Sequence, residues 1–297
     1  MSGHRLAMLS LHTSPLAQPG EGDSGGMNVY VRELAGAVAR RGVDVEVYVR
    51  RTSPEVAEVV DVEPGLRVVQ LAAGEPDLAK EELPAILECF ADEVERRAGS
   101  FDPTAVHGNY WLSGVVAHDL KHRLDVPLLV TFHTLGAVKR AMGDDEPRSR
   151  IEAERRTIGC ADVVLANGIP ERDQLVALYG ADRDRVEVVT PGVDRAVFSP
   201  CGLVALEAAA CGTPVVATAV GGLRTLVRHG ETGFLVEGRD PDGFAHGVDR
   251  IIGDTTLAVD LAAATQVVAD EHTWSRGADR FVGLLAEVAD RALVPCS

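Results

Sequence analysis

The stretch HTSPLAQPGEGDSGGMNVYVREL, His12 to Leu34, carries the first chemistry legible in the chain. A strand-like run precedes it and a helical pattern follows. The pair Gly25 and Gly26, just ahead of the helix, leaves room for a ligand near backbone N–H groups that point at a phosphate or diphosphate. The spacing is not G-x-G-x-x-G, which disfavours a nicotinamide-type dinucleotide site. Glycines serving only a turn give the same local pattern, so both readings stay open. Lys80 and Arg150 are able to neutralise an anion, although cations taken singly are more often solvated surface charge. His133, in TFHTL just past a strand end, is placed either to meet a ligand or to fill the core as a hydrogen-bonded residue. His118 and His122 stand four apart on one predicted helix face, which is metal-ligand spacing. The intervening Asp-Leu-Lys lacks the glutamate of H-E-x-x-H and no third ligand is suggested, so they are expected on a helix surface with no metal.

These side chains need a scaffold. The first two thirds of the chain alternates short β-branched runs with amphipathic stretches, the pattern of a parallel sheet covered by helices. Strands are predicted at Leu6 to Leu11, Val45 to Val49, Leu66 to Leu71, Ala105 to His107, Leu128 to Phe132, Val163 to Ala166 and Val186 to Val189. Helices are predicted at Met27 to Arg40, Leu83 to Arg97, Trp111 to His122 and Glu152 to Cys160. Ligands on such doubly wound sheets gather at the carboxyl ends of the strands, which selects the loops after Leu11, His107 and Phe132. Pro191-Gly192-Val193-Asp194 reads as a loop leaving the last strand, so a domain boundary is expected near residue 195. From Cys201 onward only two strands, Pro214 to Ala217 and Gly233 to Val236, are legible among helices. Residues 196–297 therefore read as a second α/β domain cut at its front.

The chain has 297 residues, 46% of them hydrophobic, and a formal charge of −16. That charge argues against nucleic acid as the main partner, because phosphate backbones are held by clustered Lys and Arg. No run of eighteen apolar residues and no signal-peptide pattern stands in the sequence, so a cytoplasmic protein without a membrane span is expected. Cys89, Cys160, Cys201, Cys211 and Cys296 are an odd set without close spacing, which suits reduced thiols.

The His12–Leu34 stretch resembles the acceptor-domain loop of the family 4 retaining glycosyltransferases, which have the two-domain GT-B fold. KEELP at Lys80 to Pro84, NYWLSG at Asn109 to Gly114, TFHTLGAVK at Thr131 to Lys139, YGADRDRVEVVTPGVD at Tyr179 to Asp194 and GLVALEAAACGTPVVAT at Gly202 to Thr218 carry the same resemblance. It is strongest to the branch that starts mycothiol synthesis in actinobacteria. The resemblance implies one complete Rossmann-like domain plus a truncated second one. It also implies transfer of N-acetylglucosamine from UDP-GlcNAc to 1D-myo-inositol 3-phosphate. A catalytically inactive inositol-phosphate-binding remnant is the alternative. A homodimer is a possible assembly.

Residue by residue, the resemblance gives His12, Asp23, Ser24, Gly25, Gly26, Met27, Asn28, Lys80, Tyr110, Thr134 and Arg150 as acceptor contacts. A phosphomonoester carries nearly two negative charges and suits a Lys, an Arg and hydroxyl donors converging on it. His133 corresponds to a histidine that contacts the donor sugar, and Gln18, Pro19 and Gly26 to the diphosphate-side loop. Asn109 falls where relatives commonly carry the second histidine of an H-S-H run that His107 opens.

On the donor side the family uses an E-x7-E motif. Glu207 corresponds to its second, ribose-binding glutamate and Thr213 to a nearby loop position, whereas Ser199 stands eight residues before Glu207, so the first glutamate is absent. The cationic strand end that would stabilise the departing diphosphate is missing with it. The family chemistry needs no metal ion, although relatives are implied to hold a structural Mg²⁺ near the lost loop. The segment HTWSRGADRFVGLLAEV, His272 to Val288, resembles the family's closing helix, which packs back on the first domain.

Overall fold

In the computed structural model, residues 3–18, 26–193, 204–220, 222–238 and 240–296 are described. The expected site residues Pro19, Asp23, Ser24 and Gly25, and Ser199 and Cys201 at the junction, lie outside the described residues.

Runs that are apolar without alternation, such as Leu128–Thr131 and Val163–Ala166, require cover on both faces, and the first part of the chain folds accordingly. The elements run β1 (Arg5–Leu9), α1 (Gly26–Ala39), β2 (Asp44–Arg50), β3 (Val59–Glu63), β4 (Leu66–Leu71), a 3-10 helix at Lys80–Ile86, α2 (Leu87–Phe101), β5 (Ala105–Asn109), α3 (Tyr110–Leu124), β6 (Leu128–Thr131), α4 (Gly136–Ala141), α5 (Arg148–Cys160), β7 (Val163–Ala166), α6 (Ile169–Tyr179) and β8 (Val186–Val188). They build one eight-stranded sheet in the order β3-β4-β2-β1-β5-β6-β7-β8. All pairings are parallel except β3 with β4. The sequence reading missed β3. An edge strand pairs on one side only and tolerates charge, so Asp61 and Glu63 break the apolar run that marks the interior strands.

Each face of the sheet carries its own core. On one, Phe90, Val94 and Ala98 of α2 and Val116, Ala117 and Leu120 of α3 recur at helical spacing and are buried against the strands. On the other, Val31, Leu34 and Val38 of α1 pack with the last helix, α11 (Trp274–Ala289), through Phe281, Leu284 and Leu285. Both α2 and α3 end at an aspartate in the left-handed region, Asp102 and Asp125.

After β8 the chain continues with α7 (Val204–Ala210), β9 (Val215–Thr218), α8 (Leu223–Leu226), β10 (Gly233–Val236), α9 (Pro241–Gly253) and α10 (Thr255–Glu271) before α11. β9 and β10 form a parallel two-stranded sheet. Among the described residues, six large apolar side chains of this part stand exposed, Val204, Val220, Val248, Ile252, Val259 and Val267, which is what a sheet with too few strands leaves uncovered. The segment before α7 and the start of α11 meet backbone to backbone. Val193 N–H donates to the His272 carbonyl at 2.9 Å, and a Cβ on Gly192 would fall 2.0 Å from the Trp274 nitrogen. Only glycine permits that approach.

No single helix among the described residues is long and apolar enough to cross a membrane.

Candidate active site between the two sheets

The carboxyl ends of β6, β7 and β8 converge on a cleft of about 580 Å³, within the range of small-molecule sites. Its floor is Gly26, Met27, Tyr30, His133 and Thr134, with Asn167 and Glu171 beside them. Its opposite wall is Val204, Ala205, Gly222, Leu223, Thr225 and Leu226. A larger groove of about 790 Å³, at Arg5, Asp44 and Leu66, opens at the starts of strands β1, β2 and β4, the wrong edge for a ligand in this topology.

Two residues at this edge have left-handed backbones despite carrying side chains: Tyr110 at φ 72° and His133 at φ 61°. Each directly follows or closely follows a strand end, β5 and β6. Such conformations cost on the order of 1–3 kcal/mol and persist where the surroundings enforce them, commonly at binding sites. The enforcing contacts are visible for His133. Its Nε2–H donates to Asn109 Oδ1 at 3.1 Å, and its ring meets the Tyr30 ring edge-on at 4.7 Å. Burial, with a smaller push from His12, lowers the His133 imidazole to about 3, so the ring is neutral and Nδ1 is its acceptor. His107 lies beneath, wholly buried beside Phe281, with Nε2 2.9 Å from Thr131 Oγ1, and burial lowers it to about 3 as well.

Around Tyr110 the sequence-expected acceptor residues come together. The His12 ring lies 4.4 Å from the Tyr110 ring, the Arg150 guanidinium 5.1 Å and the Lys80 ammonium 5.8 Å. Arg150 also donates to Thr134, to its carbonyl at 2.9 Å and Oγ1 at 3.1 Å. Arg150 is not the solvated cation its sequence context alone suggests. It is 4% exposed, and its Nη1 and Nε donate to Glu146 and Glu154 at 2.9 and 2.8 Å. Glu154 is fully buried and accepts from Gly136 N–H, Arg150 and the Tyr179 hydroxyl, which anchors the β6 loop carrying His133 and Thr134.

Asn28 is also occupied structurally: its Oδ1 accepts from Thr13 Oγ1 at 2.6 Å and its Nδ2 donates to the Ser14 carbonyl at 2.7 Å, bracing the loop after β1 onto α1. Gln18 is exposed at the end of that loop. Glu207, half-buried on α7, and exposed Thr213 are not among the cleft-lining residues.

Sequence reasoning did not single out Tyr30, Asn167 or Glu171, and it treated Asn109 only as a substituted position. Glu171 Oε2 accepts from Asn167 N–H at 2.9 Å and Nδ2 at 3.0 Å, burial raises its carboxyl, and Oε1 has no hydrogen-bond partner among the described residues. For Asn167 and Glu171 the signal was available in the strand-end rule, because both follow β7, whose loop was left out of the three selected.

Two expectations need correction. His118 and His122 do not stand alone on their helix: Cys160 and Cys296 lie against them, and the ligand atoms of all four fall within 4.8 Å of one another. The cysteines are likewise not all unpaired, since Cys160 and Cys296 are in bonding contact across 136 residues, while Cys89 and Cys211 are free and exposed. This is the one such cluster among the described residues.

A parallel sheet facing a second α/β layer across a ligand cleft is the architecture of nucleotide-sugar transferases, and the comparisons agree. Residues 25–192 match the glycosyl transferase 4-like domain and residues 142–267 match glycosyl transferases group 1. The chain belongs to this glycosyltransferase family and has the GT-B fold.

Within it, the chain is similar to D-inositol 3-phosphate glycosyltransferases. It is 33% identical to that of Xylanimonas cellulosilytica over 410 aligned positions, covering 97% of this chain and 98% of the relative. It is 48% identical to that of Kineococcus radiotolerans over 221 positions, covering 72% of this chain and 51% of the relative. The first alignment is longer than the chain's own 297 residues, so that relative carries a stretch with no counterpart here. Among solved structures, a sucrose-phosphate synthase from Thermosynechococcus elongatus superposes with a TM-score of 0.89 at 22% identity, covering 96% of this chain and 98% of the other. Anabaena Alr3699/HepE in complex with UDP and glucose gives 0.71 at 14%, covering 96% and 100%. These two likenesses concern the fold.

Proposed function

We propose that the protein transfers N-acetylglucosamine from UDP-GlcNAc to 1D-myo-inositol 3-phosphate, with the phosphate held at Tyr110 and the donor lying in the cleft beside His133. The observation that carries this reading is the convergence of Lys80, His12 and Arg150 on the Tyr110 ring, with Thr134 held beside it by Arg150. Two cations, an imidazole and a hydroxyl preset in this way offer a dianion charge-assisted hydrogen bonds in a partly enclosed site. Neutral His133 and the unpartnered oxygen of Glu171 supply acceptors for sugar hydroxyls, and the start of α1 at Gly26 supplies N–H groups for the diphosphate. His133 acts here by contact and orientation; the chain's contribution to the reaction is to place donor carbon and acceptor hydroxyl within reach of each other. Glu207 serves the donor ribose in this reading, with Thr213 near it. Residues 1–195 form the acceptor unit and 196–297 the donor unit, in a cytoplasmic protein.

A second reading is binding without turnover. The two-stranded second sheet and its exposed apolar residues favour it, because the donor diphosphate is clamped from that side. One experiment separates the two: titrate 1D-myo-inositol 3-phosphate into the protein by calorimetry and then assay UDP release from UDP-GlcNAc. Binding with UDP release supports transfer, binding without release supports the second reading, and no binding removes both.

A further inference from the structure

On the far side of the sheet from the cleft, at the starts of β6 and β7, the segment following α11 returns to the molecule and is fastened there. Val294 N–H donates to Asp162 Oδ1 at 2.7 Å, and the Val294 carbonyl accepts from Lys121 Nζ at 2.9 Å. Lys121 and Asp162, both almost fully buried, are themselves paired at 2.9 Å. Lys121 Nζ also donates to the Cys160 carbonyl at 2.7 Å, and Asp162 Oδ2 accepts from Leu128 N–H at 2.8 Å. This network fixes the backbone on both sides of a single point, where Cys296 arrives next to Cys160, the last residue of α5.

Two imidazoles face that point from α3. His118 and His122 lie one turn apart with ring centroids 5.4 Å from each other. Cys296 Sγ is 3.0 Å from His122 Nε2 and 3.4 Å from His118 Nε2, and Cys160 Sγ is 3.6 Å from His122 Nε2. A tetrahedral zinc ion with Zn–N near 2.0 Å and Zn–S near 2.3 Å sets neighbouring nitrogen and sulfur ligands about 3.5 Å apart. The two sulfurs are in bonding contact, a pairing that uses neither ring, and once that bond is reduced both thiols stand against Nε2 atoms already turned onto them.

We propose that His118, His122, Cys160 and Cys296 form a closed structural zinc site that clips the segment after α11 to α3 and α5. Two thiolates and two neutral imidazoles complete a tetrahedron around Zn²⁺ and cancel its charge, leaving no position open for water or substrate. Arg155, Arg156 and Arg185 line the same depression, and their charge favours the thiolate form of the cysteines. From the reduced chain, zinc binding releases the two thiol protons to solvent with no change of oxidation state, and a chain carrying the Cys160–Cys296 bond first takes two electrons from an external thiol reductant.

The test uses the full chain, purified with a reductant that keeps thiols free, stripped with chelator and titrated with Co²⁺ and then Zn²⁺. One Co²⁺ per chain is expected, with thiolate-to-cobalt charge-transfer absorption and the strong visible bands of a tetrahedral site, both abolished by one equivalent of Zn²⁺. His122→Ala and Cys296→Ser, at exposed positions, should each weaken Co²⁺ binding by more than about tenfold, while Cys89→Ser and Cys211→Ser leave it unchanged. Circular dichroism checks that each variant is folded. The proposal is overturned by a reduced, folded chain that shows no thiolate-to-cobalt band. It is equally overturned if His122→Ala and Cys296→Ser bind as the parent does, or if the isolated chain carries a Cys160–Cys296 disulfide and takes up no metal after reduction.

Discussion

His133 Nε2 lies 3.1 Å from Asn109 Oδ1, so the residue at the end of β5 sets the ring carried by the loop after β6. The position that departs from the family's H-S-H run is thus occupied by a side chain with a defined partner, and an amide acceptor requires the proton on Nε2. Replacing Asn109 with Leu removes that acceptor and frees the ring. UDP-sugar affinity should fall by about fivefold to tenfold, the scale of one lost neutral hydrogen bond, with inositol phosphate binding unchanged. Parallel calorimetric titrations check it, and equal losses for both ligands would refute the assignment.

Lys80 and Arg150 should respond differently to truncation although both face Tyr110. Lys80 is exposed, so Lys80→Ala should leave stability within about 0.5 kcal/mol while weakening inositol phosphate binding by roughly 1.5–3 kcal/mol. Arg150 is buried between Glu146 and Glu154, and its removal leaves fully buried Glu154 without a cation while Glu146 keeps Lys139, which should cost about 3–5 kcal/mol of stability besides. Urea unfolding of both variants at pH 7, alongside the titrations, decides the point.

Glu154 is the anchor of the loop that bears His133 and Thr134. Glu154→Ala leaves the Arg150 charge and the Gly136 N–H short of an acceptor and should also destabilise the fold by about 3–5 kcal/mol. Glu154→Gln keeps the shape and one acceptor oxygen and should lose less. If the two variants unfold at the same urea concentration, the anchoring role is wrong.

His107 predicts a pH dependence. Its folded-state value near 3 lies below the unfolded value near 6.5, so the unfolded chain binds the proton first. The contribution is complete above about pH 6.5 and is lost as pH falls toward 3, at up to about 1.4 kcal/mol per pH unit. Between pH 6.5 and 5, the stability of the parent should decline more steeply than that of His107→Gln by up to this slope. Parallel urea curves at three pH values measure it, and identical slopes would contradict it.

The sequence by itself determined the parallel sheet and the helices on both of its faces. It could do so because apolar periodicity records local burial directly. It also named the residues that meet at Tyr110, through motifs that keep their spacing. The tertiary structure decided what those residues are doing. Arg150 sits in a carboxylate cage because α5 begins at Arg148, earlier than its apolar pattern suggests, which puts Arg150 and Glu154 one turn apart on one face with Glu146 just ahead of the helix. Asn109 reaches His133 because β5 and β6 are neighbours in the strand order. Cys160 meets Cys296 only because the segment after α11 comes back to the buried Lys121–Asp162 pair. Contacts between residues far apart in the chain depend on strand order and register, and no local pattern of residue types encodes either.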